Sequence, residues 1–290
     1  RSPVHCAPES TLTSIDFWQA NAMIGLSTYA LFWQHSERAI RALDLDNMLD
    51  ITAGLGGEVF QICDYQKILS YTPEQLARLQ AKAADLNITL ELGTKGILPE
   101  VLTPYLQIAE VLGAKLIRSM LTAPNHRPAL AEAETLLRNQ LGAFATSGVT
   151  LALETYEQVG SQDLVSLVET LGSDHLGICL DPANCVARLE HPKDVIDRCA
   201  PYVKNLHIKD FAFTRRGGWV GFTLEGAELG TGLLPYEYMI DKVSPDTRGI
   251  NRVLEHWLTW RDDFEQTRET ENNWNTANLA YMRRIDQQRS

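Results

Sequence analysis

The sequence predicts an α/β chain folded as a (β/α)8 barrel. Short runs of β-type residues alternate with helical stretches along the chain. Eight such units fit within about 265 residues, the usual size of this fold. An open doubly wound sheet, the competing architecture, prefers a glycine-rich phosphate loop after its first strand, and "GLSTYA" is not one.

The elements follow in order. The first strand is expected at Ile24–Tyr29, and a helix around Leu45–Gly54 comes next. "EVFQICD" (Glu58–Asp64) reads as strand two. Thr72 then suits an N-cap, Pro73 the first helical position, and Glu74 and Gln75 the first turn. "ITLELG" (Ile88–Gly93) is strand three, and the helix in "PEVLTPYLQIAEVLG" ends at Gly113, a plausible C-cap. "AKLIRSML" (Ala114–Leu121) is strand four, and a long helix over Ala129–Ser147 ends at Gly148. "VTLALE" (Val149–Glu154) is strand five, followed by a helix over Gln162–Leu171. "LGICLD" (Leu176–Asp181) is strand six, and a helix at Lys193–Cys199 leads into "VKNLHIKD", strand seven. A loop with the hairpin-like "RRGGW" (Arg215–Trp219) follows, then a helix near Pro235–Lys242. "INRVLE" (Ile250–Glu255) is strand eight, and the segment after Asn272 is helical.

Bulk properties narrow the function. Hydrophobic residues make up 44% of the chain, and the net charge is -11. A polyanion such as nucleic acid finds no general attraction here. No apolar run reaches the roughly 18 residues of a membrane span. Cys6, Cys63, Cys179, Cys185 and Cys199 are odd in number, widely spaced and without a C-x-x-C pair. They read as reduced, mostly buried thiols of a cytoplasmic protein rather than a disulfide scaffold or zinc ribbon. Residues 1–22 show no clear period and no signal-peptide core, so they are expected to be an extension. Residues 23–290 are expected to form one barrel domain with a C-terminal helix.

Alternate strand residues point into a barrel and out to its helices. On strands five to eight this sends Leu151, Leu153, Ile178, Leu180, Leu206, Ile208 and Leu254 outward. The last or nearly last inward residues are then Glu154, Asp181, His207 and Glu255. All four sit at C-terminal strand ends, where the active sites of this fold lie. Three converging carboxylates repel one another, and burial raises their pKa values. A single divalent ion resolves the conflict, and one imidazole with three carboxylates suits Mn2+, Mg2+, Co2+ or Zn2+. A lone strand-end carboxylate is usually a helix cap or an ion-pair partner; four successive strands with one pattern are not accounted for in that way.

The chain resembles the xylose-isomerase-like TIM barrels, the superfamily of sugar isomerases, ketose 3-epimerases and related enzymes. The resemblance rests on "LALE" (151–154), "GICLDPAN" (177–184), "LHIKD" (206–210), "ELGTGLLPY" (228–236) and "VLEH" (253–256), with looser matches in "GLSTYA", "FQICD" and "LELGTKG". It implies one divalent metal, Mn2+ foremost, held by Glu154, Asp181, His207 and Glu255. It also implies Glu154 and Glu255 as the acid/base pair flanking a carbohydrate substrate. Proton abstraction next to a carbonyl needs such a base and a cation at the developing enolate oxygen. The ketose 3-epimerases and the related apurinic endonucleases carry a histidine three residues after the strand-six aspartate, where this chain has Asn184. With 7 histidines it lacks the further strand-end set of the endonucleases; His256 alone joins His207 at a strand end.

Lys95, Arg118 and Lys209 are expected near the mouth, each either paired with a protein carboxylate or, together, holding a substrate carboxylate or phosphate. Glu91 and Asn184 complete the candidate substrate-binding residues. Tyr29, Phe32, Trp33, Trp219 and Phe222 are candidate sugar-stacking walls, with core packing the default, and Gly230 and Gly232 read as turn glycines. These features predict a metal-dependent enzyme on a small polyhydroxy carbonyl compound working through an enolate. A sugar isomerase or epimerase comes first, a decarboxylase of a 3-oxo sugar acid second, and a sugar-binding barrel without turnover third. The oligomeric state is left open, a homo-oligomer included.

Overall fold

The computed structural model describes residues 22–218 and 220–289. The expectations for residues 1–21, for Cys6 and for Trp219 lie outside the described residues. Among the described residues ten strands form: β1 (Ile24–Ser27), β2 (Val59–Cys63), β3 (Thr89–Gly93), β4 (Leu116–Ser119), β5 (Thr150–Glu154), β6 (Leu176–Leu180), β7 (Val203–Ile208), β8 (Asp210–Arg215), β9 (Phe222–Ala227) and β10 (Arg252–Leu254). Eight of them close a parallel barrel in the order β1-β10-β7-β6-β5-β4-β3-β2. β10, not β8, is therefore the eighth barrel strand, pairing with β7 through Val253↔His207 and with β1 through Val253↔Gly25.

The helices are α1 (Phe32–His35), α2 (Leu45–Gly54), α3 (Pro73–Asp85), α4 (Pro99–Leu112), α5 (Leu130–Ser147), α6 (Ser161–Leu171), α7 (Pro182–Cys185), α8 (Pro192–Cys199), α9 (Tyr236–Val243), α10 (Pro245–Arg248) and α11 (Phe264–Arg289). Local chemistry sets their ends. Thr72 accepts from the Gln75 N–H while the Gln75 side chain accepts from the Thr72 N–H, closing a capping box on α3. α4 and α5 stop at Gly113 (φ 69°) and Gly148 (φ 61°), in the left-handed conformation that glycine enters without a Cβ clash.

The two faces of the strands separate as parity requires. Leu151, Leu153, Ile178, Leu180, Leu206, Ile208 and Leu254 belong to one large core shared with the helices. Ala152 and Cys179 instead meet Leu116 in a small cluster of their own inside the barrel. Cys63, Cys179, Cys185 and Cys199 are free and buried.

Two elements reach further than expected. The loop after strand seven is an antiparallel ribbon, β8 on β9, running from Asp210↔Ala227 to Arg215↔Phe222. "DFAFTR" and "FTLEGA" pair on either side of the hairpin-like stretch, so the loop is a regular insertion between barrel strands. The last helix covers the segment after Asn272, as expected, and begins earlier, at Phe264, where Asp263 accepts from the Gln266 N–H (2.8 Å) and caps it.

α11 carries a row of buried polar side chains, Thr267, Glu271, Asn275 and Asn278. Each bonds to a segment at the barrel mouth. Thr267 accepts from the Arg261 N–H (3.0 Å) and Asn278 from the Leu229 N–H (2.8 Å). Asn275 donates to the Ala30 carbonyl and accepts from His256, both at 2.8 Å. Glu271 accepts from the N–H groups of Trp33 (2.9 Å) and Gln34 (3.3 Å). Burial pushes the Glu271 carboxyl from 4.5 up to about 7, against those N–H donors. Between those two values the folded chain holds a proton that the unfolded chain releases, so this group's contribution to stability falls as pH rises. The Tm of the wild type relative to Glu271→Gln is expected to fall between pH 4.5 and pH 7; a pH-independent difference removes Glu271 from this role.

Candidate metal centre at the barrel mouth

Glu154 is the last residue of β5, Asp181 directly follows β6, His207 is the penultimate residue of β7, and Glu255 directly follows β10. All four are buried, and each offers one ligand atom such that these atoms lie within 4.8 Å of one another. Asp181 Oδ1 also caps α7, accepting from the N–H groups of Ala183 (3.1 Å) and Asn184 (3.3 Å). Its other oxygen is left facing the cluster.

His207 is aimed from below. Its Nε2–H donates to Gln61 Oε1 (2.8 Å), which leaves Nδ1 toward Glu154 Oε1 (3.3 Å) and Glu255 Oε2 (3.4 Å). Gln61 in turn donates to Glu91 Oε2 and to Asn205 Oδ1, both at 3.1 Å. Sequence reasoning missed Gln61. It is a register neighbour of Glu91 on β2, a strand to which the parity argument was not applied.

Burial and three nearby cations shape the charges. Burial pushes the Glu154 carboxyl up, but the Arg118 guanidinium and the His207 ring outweigh it and bring it to about 2. Glu255 is likewise held low by His207 and Lys209 against burial. Burial keeps Asp181 raised despite Lys209, with Glu154 and Glu255 adding to the rise. Burial opposes the charge on Lys209, yet Asp181 and Glu255 hold its ammonium above the ordinary value.

The remaining candidates separate into three groups. Lys209 Nζ lies 2.7 Å from Asp181 Oδ2 and 3.3 Å from Glu255 Oε2, and sits over the Trp257 ring. Its partners are thus protein carboxylates. Arg118 pairs with Glu154 through Nη2, and its Nη1 meets Asp64 Oδ1 (3.3 Å) and the Thr94 carbonyl (2.9 Å). Lys95 joins the same Asp64 at 3.0 Å. Asn184 donates to Glu154 Oε1 (2.9 Å) and the Thr155 carbonyl (3.2 Å), and so steadies the carboxylate.

Glu91 does not reach the mouth. It accepts from Gln61, from Asn205 (3.0 Å) and from Asn251 (2.7 Å), and it lines the opposite, N-terminal end of the barrel with Thr150 and Lys115. Burial raises its carboxyl against those three amides. Its place two residues before the end of β3 makes it a support for Gln61 rather than a substrate contact.

Among the other expectations, His256 turns away to Asn275 and Trp274, and burial lowers it to about 4. Gly230 and Gly232 donate their N–H groups to Asp210 Oδ2, both at 2.9 Å, so that loop is closed by a protein carboxylate. Trp33 packs on Trp260 and donates to the Leu258 carbonyl (2.7 Å), whereas Tyr29 and the partly exposed Phe32 stack at the rim. Phe222 lies on the ribbon under Arg215.

The donor set fits a divalent ion. His207 Nδ1 is buried without a hydrogen bond among the described residues and faces two carboxylate oxygens, while Glu154 Oε2 and Asp181 Oδ2 meet only the charges of Arg118 and Lys209. Such atoms are costly unless a cation takes them up. Dialysis against a chelator is therefore expected to lower the Tm by roughly 5 °C relative to protein with an ion at about a hundred times its Kd. An unchanged Tm together with no bound ion on elemental analysis would remove the site.

The description of one family model, xylose isomerase-like TIM barrel, matches residues 49–283. The chain belongs to this family. Within it, the chain is 48% identical over 259 residues to 3-oxo-isoapionate decarboxylase of Pectobacterium atrosepticum, covering 89% of this chain and 94% of that protein. The barrel also superposes on D-psicose 3-epimerase of Clostridium cellulolyticum H10, solved with D-tagatose, at a TM-score of 0.71 and 16% identity, covering 91% and 99% of the two chains. A xylose isomerase-like TIM barrel protein of Mycobacterium smegmatis, solved with magnesium, superposes at 0.66 and 16% identity, covering 90% and 99%. No helix among the described residues is long and apolar enough to cross a membrane.

Proposed function

We propose that the protein is a divalent-metal-dependent decarboxylase of a 3-oxo sugar acid. The observation that carries this reading is the 48% identity spanning 94% of the 3-oxo-isoapionate decarboxylase. The charge balance supports it. Four carboxylates (Glu154, Asp181, Glu255, Asp64) face three cations (Arg118, Lys209, Lys95). Adding a divalent ion leaves one net positive charge, which matches a monoanionic oxo acid.

Glu154, Asp181, His207 and Glu255 are the residues that would hold the ion, with Mn2+ or Mg2+ suited to their oxygen-rich donors. A bound ion supplies Lewis-acid stabilisation of the oxygen on which negative charge develops. In the reaction the bond between C1 and C2 breaks, CO2 leaves, and the electron pair is shared between C2 and the 3-oxygen as an enolate. A proton drawn from water then goes to C2. Glu154 and Glu255, which both approach His207 Nδ1, are the candidate proton carriers. Lys209, in contact with Glu255, supplies positive charge beside the developing anion.

Isomerisation or epimerisation of a ketose remains the second reading, because the same pair of glutamates can move a proton next to a carbonyl without carbon loss. One experiment separates them. The Mn2+-loaded protein is incubated in D2O with 3-oxo-isoapionate and, separately, with a panel of ketoses. Release of CO2 with deuterium at C2 is expected. Deuterium exchange into a ketose without CO2 would instead support the isomerase reading, and no turnover of either would leave a sugar-binding barrel.

A further inference from the structure

A second polar constellation stands beside the carboxylate cluster. Tyr29, Asp64 and Lys95 lie just beyond the ends of β1, β2 and β3. Tyr29 donates its hydroxyl to Asp64 Oδ2 (2.7 Å), and Lys95 Nζ reaches both Asp64 Oδ2 (3.0 Å) and the Tyr29 hydroxyl oxygen (3.3 Å). Asp64 adopts a left-handed backbone conformation (φ 54°), pinned by its N–H donating to the Gly93 carbonyl (2.9 Å). Residues other than glycine take up such a conformation at a cost, and they are concentrated at functional sites. The Arg118 guanidinium joins Asp64 on one side to Glu154 on the other.

We propose that Tyr29, Asp64 and Lys95 form a hydroxyl-reading subsite that takes the polyhydroxy end of the substrate, away from the carboxylate cluster. The assignment deepens the oxo sugar acid reading and rests on it. Three features select a neutral hydroxyl. The charge of Asp64 is already balanced by Lys95 and Arg118, so the subsite offers no net charge to a second anion. An ammonium carries three N–H donors, and the described contacts of Lys95 use two. Tyr29 and Lys95 converge on Asp64 Oδ2 and Arg118 Nη1 reaches both oxygens, so in the described contacts Oδ1 meets Arg118 alone and keeps an acceptor position. One donor and one acceptor left side by side are the complement of a single sugar hydroxyl. Lys95 is 40% exposed along its side chain, so its free donor is reachable. The Tyr29 ring, stacked on Phe32 (6.1 Å between centroids), adds an apolar wall for the carbon chain.

The test is calorimetric binding to Mn2+-loaded protein of two inert acids. D-Erythronate (2,3,4-trihydroxybutanoate) carries distal hydroxyls. 2-Hydroxybutanoate keeps only the hydroxyl next to its carboxylate. The wild type is expected to bind erythronate about tenfold more tightly, the worth of one hydrogen bond to a charged group. Asp64→Asn and Tyr29→Phe are each expected to shrink that preference to about twofold or less. Both should keep their metal content and their affinity for 2-hydroxybutanoate. A wild type without the preference, variants that retain it, or an equal loss for both acids would overturn the proposal, the last by showing that Asp64 only holds Arg118 in place. Should Asp64→Asn fail to fold, Tyr29→Phe and Lys95→Met carry the same comparison. Failure of the decarboxylase reading shows separately, as absent CO2 release with the binding preference intact.

Discussion

Glu255→Gln is expected to lower kcat about a thousandfold, the usual worth of a positioned proton carrier. The variant keeps the shape of the side chain and its reach to Ser27, which now donates to Glu255 Oε1 (3.1 Å). It removes the negative charge that His207 and Lys209 stabilise and replaces one acceptor oxygen with a donor. That donor faces two cationic partners, so metal affinity should fall as well. Elemental analysis at saturating Mn2+ separates the two losses. A fully loaded Glu255→Gln protein that still turns over at more than about a tenth of the wild-type rate takes Glu255 out of proton transfer. Glu154→Gln is expected to behave alike. Asn184, which donates to Glu154 Oε1, could keep the new amide in place, so the comparison of the two variants reports on chemistry rather than on collapse.

The second large effect is expected at Arg118. Its guanidinium is 3% exposed and links Asp64, Thr94 and Glu154. Arg118→Met leaves two carboxylates at the mouth without their shared cation. Breaking a buried pair from one side costs about 3 kcal/mol, because the other charge remains desolvated. For a chain of this length that is roughly 5 °C in Tm. The loss should be greater in metal-free protein, where Glu154 has no other divalent partner, than in the loaded form. Calorimetry of both forms checks this. Equal losses in the two forms would show that Arg118 stabilises the fold without reference to the metal centre.

The barrel and the metal-type residues were legible because the strands speak in period two. On β5, β6, β7 and β10 the outward leucines and isoleucines entered the common core, and that alone sent Glu154, Asp181, His207 and Glu255 inward. What was not legible depends on contacts between strands. Glu91 has the same parity as the site residues, but it sits too far down β3, and its three amide partners come from β2, β7 and the residue before β10. Gln61 aims the imidazole, yet a glutamine within "VFQIC" carries no signal of its own. Asp64 matters through a left-handed turn that only the pairing of β2 with β3 brings about. Lys209 was open between a substrate anion and a protein carboxylate. Its 2.7 Å approach to Asp181 is a contact between strand ends that only the fold brings together and that parity does not foresee. The hairpin at "RRGGW" was legible from its glycines, but the length of the ribbon was not, because only the pairing of its flanks sets it.

The polar row on α11 has a consequence for how the protein moves. Amides of loops and single-turn helices are ordinarily the least protected in a barrel, opening by local fraying. Here the amides of Trp33, Gln34 and Leu229 end on side chains of one long helix. Solvent reaches them only when that helix undocks. The rim of the barrel mouth, assembled from segments far apart in the chain, is therefore expected to open as one cooperative unit, with the lifetime of a packed helix rather than of separate loops.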